Sequence, residues 1–241
     1  MTFIEQFKQD FITCFIARDR YKFILKGLGN TIRIALVAVI IGIVIGAIVA
    51  VIRSTWDKNG KNMRNGIGKV LLGFLNAVAK IYVTIFRGTP VMIQIMIMFF
   101  VIFATAKDGV PVAMLTFGIN SGAYVSEIIR GGIMGIDEGQ TEAGRSLGLN
   151  YVQTMWYIVV PQALKSVLPA LANEFIALLK ETSVACYVAV TDLTKGGEII
   201  RGATYIQAMP LFAVALLYLI MVVILSKLVG ILERRLRNSE R

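Results

Sequence analysis

Histidine is absent from all 241 residues. That removes imidazole acid–base chemistry and the commonest transition-metal ligand. Cysteine is almost absent. Cys14 and Cys186 stand far apart in no metal-binding or redox spacing, and nothing in the pattern asks for a disulfide. Both read as small apolar side chains. There is no Ser or Asp dyad at a plausible spacing, so an intramembrane enzyme has little support. No Gly-x-x-x-x-Gly-Lys-Ser/Thr run is present, so the chain does not bind ATP through a P-loop. Nothing points to a cofactor or a metal. The first 22 residues lack a continuous apolar core, so no cleavable signal peptide is expected. Acidic residues are scarce, 15 against 25 basic, for a net charge of +10. Such a surplus can mark a nucleic-acid binder. Here the clusters Lys58, Lys61, Arg64, Lys69 and Arg234, Arg235, Arg237, Arg241 lie beside apolar runs, where basic residues fix the orientation of membrane spans. No nucleic-acid partner is implied.

Apolar residues dominate. The chain is 56% hydrophobic with a mean hydropathy of +0.72, which places it with membrane proteins. A helical span needs about 20 mainly apolar residues. Ile34–Ile52, Gly88–Ala106, Gly109–Ser126 and Ile206–Ser226 are uncharged. A fifth run, Ser166 to about Val190, is interrupted by Glu174, Lys180 and Glu181. The expected fold is an all-α membrane protein with about five transmembrane helices.

Residues 1–27 form a peripheral amphipathic arm, with Phe3, Phe7, Phe11, Phe15 and Ile16 at helical spacing. Residues 28–232 form the membrane domain and 233–241 a basic tail. The first span covers about 31–53, where Gly42 and Gly46 form a small-xxx-small pair suited to a helix–helix contact. Residues 54–66 read as a cytoplasmic loop. Residues 67–86 carry an apolar stripe of period near 3.6 but include Lys80, and read as a membrane-proximal helix feeding a second span at about 90–106. The third span covers about 111–130, and the fourth follows a polar excursion at about 136–162. An external loop near 191–204 and a fifth span at about 206–229 complete the chain. Five spans with the basic tail inside put the N-terminus outside. Arg18, Arg20, Lys22 and Lys26 oppose that orientation, and the other basic clusters favour it.

The excursion holds the most specific pattern. Glu142-Ala143-Gly144 is followed, after three intervening residues, by Gly148, after nine more by Ile158, and then by Val160-Pro161. This spacing resembles the signature of permease subunits of ATP-binding-cassette importers, with Gly144 and Val160 at positions where the family has Ala and Leu. Six further strings resemble the polar-amino-acid branch of those permeases (histidine/glutamine/arginine type). They are Gly27-Leu28-Gly29-Asn30-Thr31, Phe86-Arg87-Gly88-Thr89-Pro90, Asn120-Ser121-Gly122-Ala123-Tyr124, Glu127 to Gly132, Pro161-Gln162-Ala163-Leu164, and Asn173 to Ser183. The resemblance implies a type I importer permease fold in a bacterial cytoplasmic membrane. It further implies a cytoplasmic coupling helix, a second permease subunit (identical or closely similar), two cytosolic ATP-binding subunits, a solute-binding protein outside the cell and an amino-acid substrate.

Within that frame, Glu142, Ala143, Gly144, Arg145 and Gly148 are the candidate contacts to the ATPase. Ala143 and Gly144 keep the surface low, Glu142 and Arg145 offer polar contacts at the rim, and Gly148 ends the helix. Val152, Met155, Trp156 and Val159 are expected to anchor the following helix. Charges at bilayer depth are costly, so Glu174, Lys180 and Glu181 should face protein, water or each other. The run Lys180-Glu181-Thr182-Ser183 offers a base, an acid and hydroxyls to a zwitterion, and is the candidate substrate lining. Interhelical or subunit–subunit ion pairing is the alternative role. Gln94, Asn120 and Tyr124, with Ser121, are further lining candidates, against plain interhelical hydrogen bonding. Glu127 and Arg130 form an i,i+3 pair suited to a structural or gating role. A self-contained channel or ion-coupled carrier is the competing function. It would need no knob and should show inverted repeats or a coupling-ion site, and neither is visible.

Overall fold

The computed structural model describes residues 2–60, 63–188 and 190–238. Lys61 and Arg241 of the two basic clusters lie outside them. The secondary structure of the described residues is helical. The helices are α1 Phe3–Phe11, α2 Tyr21–Asn59, α3 Ile67–Gly88, α4 Val91–Ile97, α5 Gly109–Met134, α6 Glu138–Ser146, α7 Tyr151–Thr154, α8 Val160–Glu181, α9 Leu193–Thr204 and α10 Ala208–Asn238. Short π-helical turns extend α1 (Ile12–Ile16), α4 (Met98–Ile102) and α7 (Met155–Val159), and a 3₁₀ segment, Thr182–Tyr187, follows α8. Cys14 and Cys186 are free and buried.

Five helical stretches are long and apolar enough to cross a membrane: Tyr21–Asn59, Ile67–Gly88, Gly109–Met134, Tyr151–Tyr187 and Ala208–Leu236. The number agrees with the sequence, but one identity does not. The apolar helix Val91–Ile102 is too short to cross alone, because the chain turns at Phe103–Thr105. Ile67–Gly88 runs as one 22-residue helix, with its lysines and arginine too few to break it. The segment near 191–204 is likewise no loop but a 12-residue helix, α9.

The helices divide between two compact units. The first comprises residues 1–38, 91–117 and 176–227; the second comprises 39–90, 118–175 and 228–241. In the first unit, Cys14, Phe15, Ile24, Leu193, Ile200 and Val214 form a core. The N-terminal arm is therefore only partly peripheral. It ends at Arg18 and Asp19, both at positive φ, and tucks Cys14 and Phe15 inward while Phe7 and Phe11 stay exposed. Buried Asp192 caps α9, accepting from the backbone N–H of Thr194 (3.2 Å) and Lys195 (2.9 Å). Burial still pushes its carboxyl up to about 6. The Gly27–Thr31 string seats this corner. A Cβ on Gly27 would stand 2.4 Å from the Asp192 carbonyl oxygen, Thr31 Oγ1 accepts from Leu193 N–H (3.1 Å), and Asn30 Nδ2 donates to the Thr191 carbonyl (2.8 Å).

In the second unit, Val49, Ala79 and Val83 form one core, and Ile133, Val159 and Ala163 another. Gly42 and Gly46 are the contact their spacing predicts. A Cβ on Gly46 would lie 2.5 Å from Val125 Cγ1, and one on Gly42 3.0 Å from Ser121 Oγ, so α2 meets α5 at close range. Tyr82 donates its hydroxyl to the Ile119 carbonyl at 2.5 Å, tying α3 to α5.

Candidate functional site

The predicted knob is α6 and its termination. Asp137 caps the helix, accepting from Gly139 N–H at 2.7 Å. Glu138 in the first turn and Arg145 in the last oppose the helix dipole. Gly148 takes φ +80°, a conformation that costs glycine little. Its N–H donates to the Arg145 carbonyl (2.9 Å) and Leu149 N–H to that of Gly144 (3.1 Å). These paired bonds are a Schellman motif, which explains physically why the signature needs glycine there. Asn150 then starts α7 through reciprocal 2.9 Å bonds with Gln153.

Glu142, Ala143, Arg145 and Gly148 are exposed. Gly144 differs from expectation by facing inward. A Cβ there would meet Thr154 Cγ2 at 2.8 Å and Ile158 Cδ1 at 3.0 Å. Its small size therefore serves the seam beneath α6. The hydroxyls of Thr141, Tyr151 and Thr154 are buried without a partner among the described residues, so that seam is held by shape. Gln162 Nε2 donates to Gln140 Oε1 at 3.1 Å, joining α6 to the start of α8. Of the four proposed anchors, Val159 and Met155 pack, while Val152 and Trp156 are exposed.

The candidate substrate residues divide between the units. Gln94, Lys180, Glu181, Thr182 and Ser183 belong to the first, and Asn120 and Tyr124 to the second. Lys180 and Glu181 are exposed on the chain, at the end of α8. Thr182 is buried and donates its hydroxyl to the Leu179 carbonyl (2.8 Å), so it terminates the α-helix and starts the 3₁₀ segment. That segment packs against α4, the helix of buried Gln94. Asn120 Nδ2 donates to the Phe86 carbonyl (3.1 Å), an interhelical bond. The Tyr124 ring lies 5.2 Å from the Arg87 guanidinium. Glu174 is half-buried and accepts from Ser121 Oγ at 3.1 Å, so this charge faces protein as expected.

Glu127 and Arg130 belong to a larger cluster than the sequence suggested. Glu127 accepts from Arg53 and from Arg130 (3.0 Å), with Arg87 at 3.9 Å, and Arg130 also pairs with Asp57 at 3.0 Å. Five charged side chains from α2, α3 and α5 thus meet. Arg53, Arg87 and Asp57 escape a sequence reading because their partners lie tens of residues away. The one available signal was the cost of charges flanking long apolar runs.

The model of the family "Binding-protein-dependent transport system inner membrane component" matches residues 66–238. The chain is 34% identical over 221 residues to the arginine transport system permease protein ArtQ of Bacillus subtilis (strain 168), covering 90% of this chain and 94% of that one. It is 36% identical over 178 residues to the glutamine transport system permease protein GlnP of Escherichia coli (strain K12), covering 71% and 81%. A crystal structure of an amino acid ABC transporter with histidines superposes with a TM-score of 0.78 at 34% identity, covering 89% of this chain and 94% of that one. The inward-facing MetNI methionine ABC transporter shares the fold, with a TM-score of 0.74 at 20% identity and coverage of 91% and 99%.

Proposed function

The chain belongs to the family of binding-protein-dependent transport system inner membrane components, and on that premise we infer that it is the membrane-spanning permease subunit of an ATP-driven amino-acid importer. It is a transport subunit, and ATP hydrolysis resides on separate subunits. The similarity to permeases named for arginine and glutamine supports polar amino acids as the cargo. The observation that carries the reading is α6, a short capped helix with Glu142, Ala143 and Arg145 outward and a glycine-locked end.

In this reading α6 docks on a cytosolic ATPase. Two permease chains pair, each gripped by one ATPase, and a solute-binding protein delivers cargo from the far side. The α6 face and the basic clusters then lie inside, while the N-terminus, residues 107–110 and α9 lie outside. Glu142, Ala143, Arg145 and Gly148 form or shape the docking face. Motion at α6 passes to α8 through the Gly144 seam and the Gln140–Gln162 bond. Lys180, Glu181 and Ser183 are the proposed contacts for the zwitterion's carboxylate and ammonium. Gln94, in the same unit, is proposed lining. Thr182 is proposed to set the backbone that presents them.

One experiment separates the two roles: uptake and ATP turnover in proteoliposomes holding the complete transporter. Gly148→Asp should uncouple ATP turnover from uptake or reduce co-purification of the ATPase. Lys180→Met and Glu181→Gln should leave the complex intact and weaken apparent affinity about ten- to a hundredfold, the cost of a charged hydrogen bond of roughly 1.5–3 kcal/mol. Wild-type behaviour of Gly148→Asp excludes the coupling role, and unchanged uptake in the other two excludes them as cargo contacts.

A further inference from the structure

The first unit carries a polar cavity of about 320 Å³ lined by Lys26, Asn30, Arg33, Asp108, Val110 and Thr191. Its volume lies at the small end of the range for small-molecule sites. Three chain segments build it: α2, the start of α5 and the stretch before α9. Two glycines pin them. A Cβ on Gly27 would stand 2.4 Å from the Asp192 carbonyl oxygen, and one on Gly109 2.5 Å from that of Val188. With Asn30 Nδ2 bonded to the Thr191 carbonyl, the floor is fixed without any ligand.

The charges in this cavity are uncommitted. Arg53, Arg87 and Arg130 all pair with carboxylates, whereas Lys26 and Arg33 make no ion pair among the described residues. They sit seven residues apart on α2, hence on one face. Across from them, Asp108 Oδ1 accepts from Val110 N–H at 2.9 Å, leaving its second oxygen for another donor. Asn30 spends its amide N–H on Thr191, so its Oδ1 remains an acceptor. Two cations and a carboxylate with an amide oxygen are thus held around one small space. A plain anion would meet Asp108, and a plain cation would meet Lys26 and Arg33. A molecule with both signs satisfies every group.

We propose that this cavity is a recognition site for a small zwitterion, with Lys26 and Arg33 on the carboxylate and Asp108 and Asn30 Oδ1 on the ammonium. Resting on the importer reading above, the occupant is the amino-acid cargo, held before it reaches Lys180 and Glu181. Arg33 directly precedes the uncharged run Ile34–Ile52, so the site stands at the rim of the apolar layer. It also gives a role to Lys26, one of the four basic residues that oppose the orientation set by the other clusters. An ethanolamine lipid headgroup carries the same pair of charges and is the rival source.

The test is equilibrium binding of radiolabelled glutamine and of radiolabelled arginine to the complete transporter in nanodiscs, without binding protein. Asp108→Asn keeps the Val110 cap and removes only charge. It, Lys26→Gln and Arg33→Gln should each weaken binding tenfold or more, and Arg33→Lys should restore most of it, with complex yield unchanged. Equal binding in all variants, or no binding of either probe to wild type, overturns the proposal. Discs of phosphatidylglycerol alone and discs with added phosphatidylethanolamine should give the same losses. Losses confined to ethanolamine-containing discs assign the cavity to lipid and overturn it. Uptake with binding protein is measured on the same samples. A wild type that transports amino acids while the variants bind normally defeats this site alone, whereas a wild type that transports none defeats the importer reading.

Discussion

Glu127 is the residue whose loss should disturb the second unit most. It faces three arginines, with Asp57 the one further carboxylate in the cluster, so the group holds one excess positive charge. Glu127→Gln raises that excess to two and strips Arg53 of its partner. The side chains of Arg53, Glu127 and Arg130 are only 14%, 20% and 28% exposed, so water replaces the lost carboxylate poorly. Breaking a fully buried pair costs about 3–5 kcal/mol; partial exposure brings the expected loss to about 2–3 kcal/mol. The assay is detergent-driven unfolding of the purified chain in mixed micelles, run as a double-mutant cycle with Arg53→Met. Removing both partners should cost less than the sum of the single changes, with a coupling of about 1–2 kcal/mol. A stable Glu127→Gln protein, or strictly additive effects, would refute the view that this cluster ties α2 to α5.

Two further perturbations follow from local geometry. Gly46→Ala drives a methyl to within 2.5 Å of Val125 Cγ1 and 2.9 Å of the Ser126 backbone nitrogen, and should cost about 1–3 kcal/mol. Gly42→Ala, with a 3.0 Å approach to a rotatable Ser121 hydroxyl, should cost less, and the reverse order in the same unfolding assay would contradict the packing described. Asp192 should make stability depend on pH. Its carboxyl is raised from 3.8 to about 6 on folding, so the folded state holds the proton more tightly. That contribution is complete below about pH 4 and is lost as pH rises through about 6, a fall of roughly 3 kcal/mol at most. Asp192→Asn should flatten the slope across that window, and an unchanged slope would remove Asp192 as its source.

Much of this was legible before any coordinates. The Glu142–Gly148 spacing marks a helix with a left-handed stop, because few residues besides glycine adopt that backbone cheaply. The small-xxx-small pair marked a face of the first span suited to a helix contact, and the partner, α5, came only from the structure. Spans were harder to place. Lys69, Lys80 and Arg87 depress the apolarity of Ile67–Gly88 without interrupting the helix, while the uncharged run after Pro90 is cut short by a turn that hydropathy does not see. The 191–204 segment, expected as a loop, holds Gly196, Gly197 and Gly202, which lower helix propensity. The first two are there for proximity: a Cβ on Gly196 would lie 2.6 Å from the Phe23 carbonyl oxygen, and one on Gly197 2.6 Å from Val214 Cγ2. The inward turn of Gly144 and the Arg53–Asp57–Arg87–Glu127–Arg130 cluster depend on tertiary neighbours, which a single sequence does not reveal.

The central claim is that the outward face of α6 is where the ATPase engages. Its most direct test is a photoreactive label on a single cysteine in a chain lacking Cys14 and Cys186, cross-linked in membranes with the ATPase present. A label at Ala143 should capture the ATPase, and a label at Tyr205, exposed beyond α9, should not. Capture from Tyr205, or none from Ala143 in a transporter that still imports, would contradict the account.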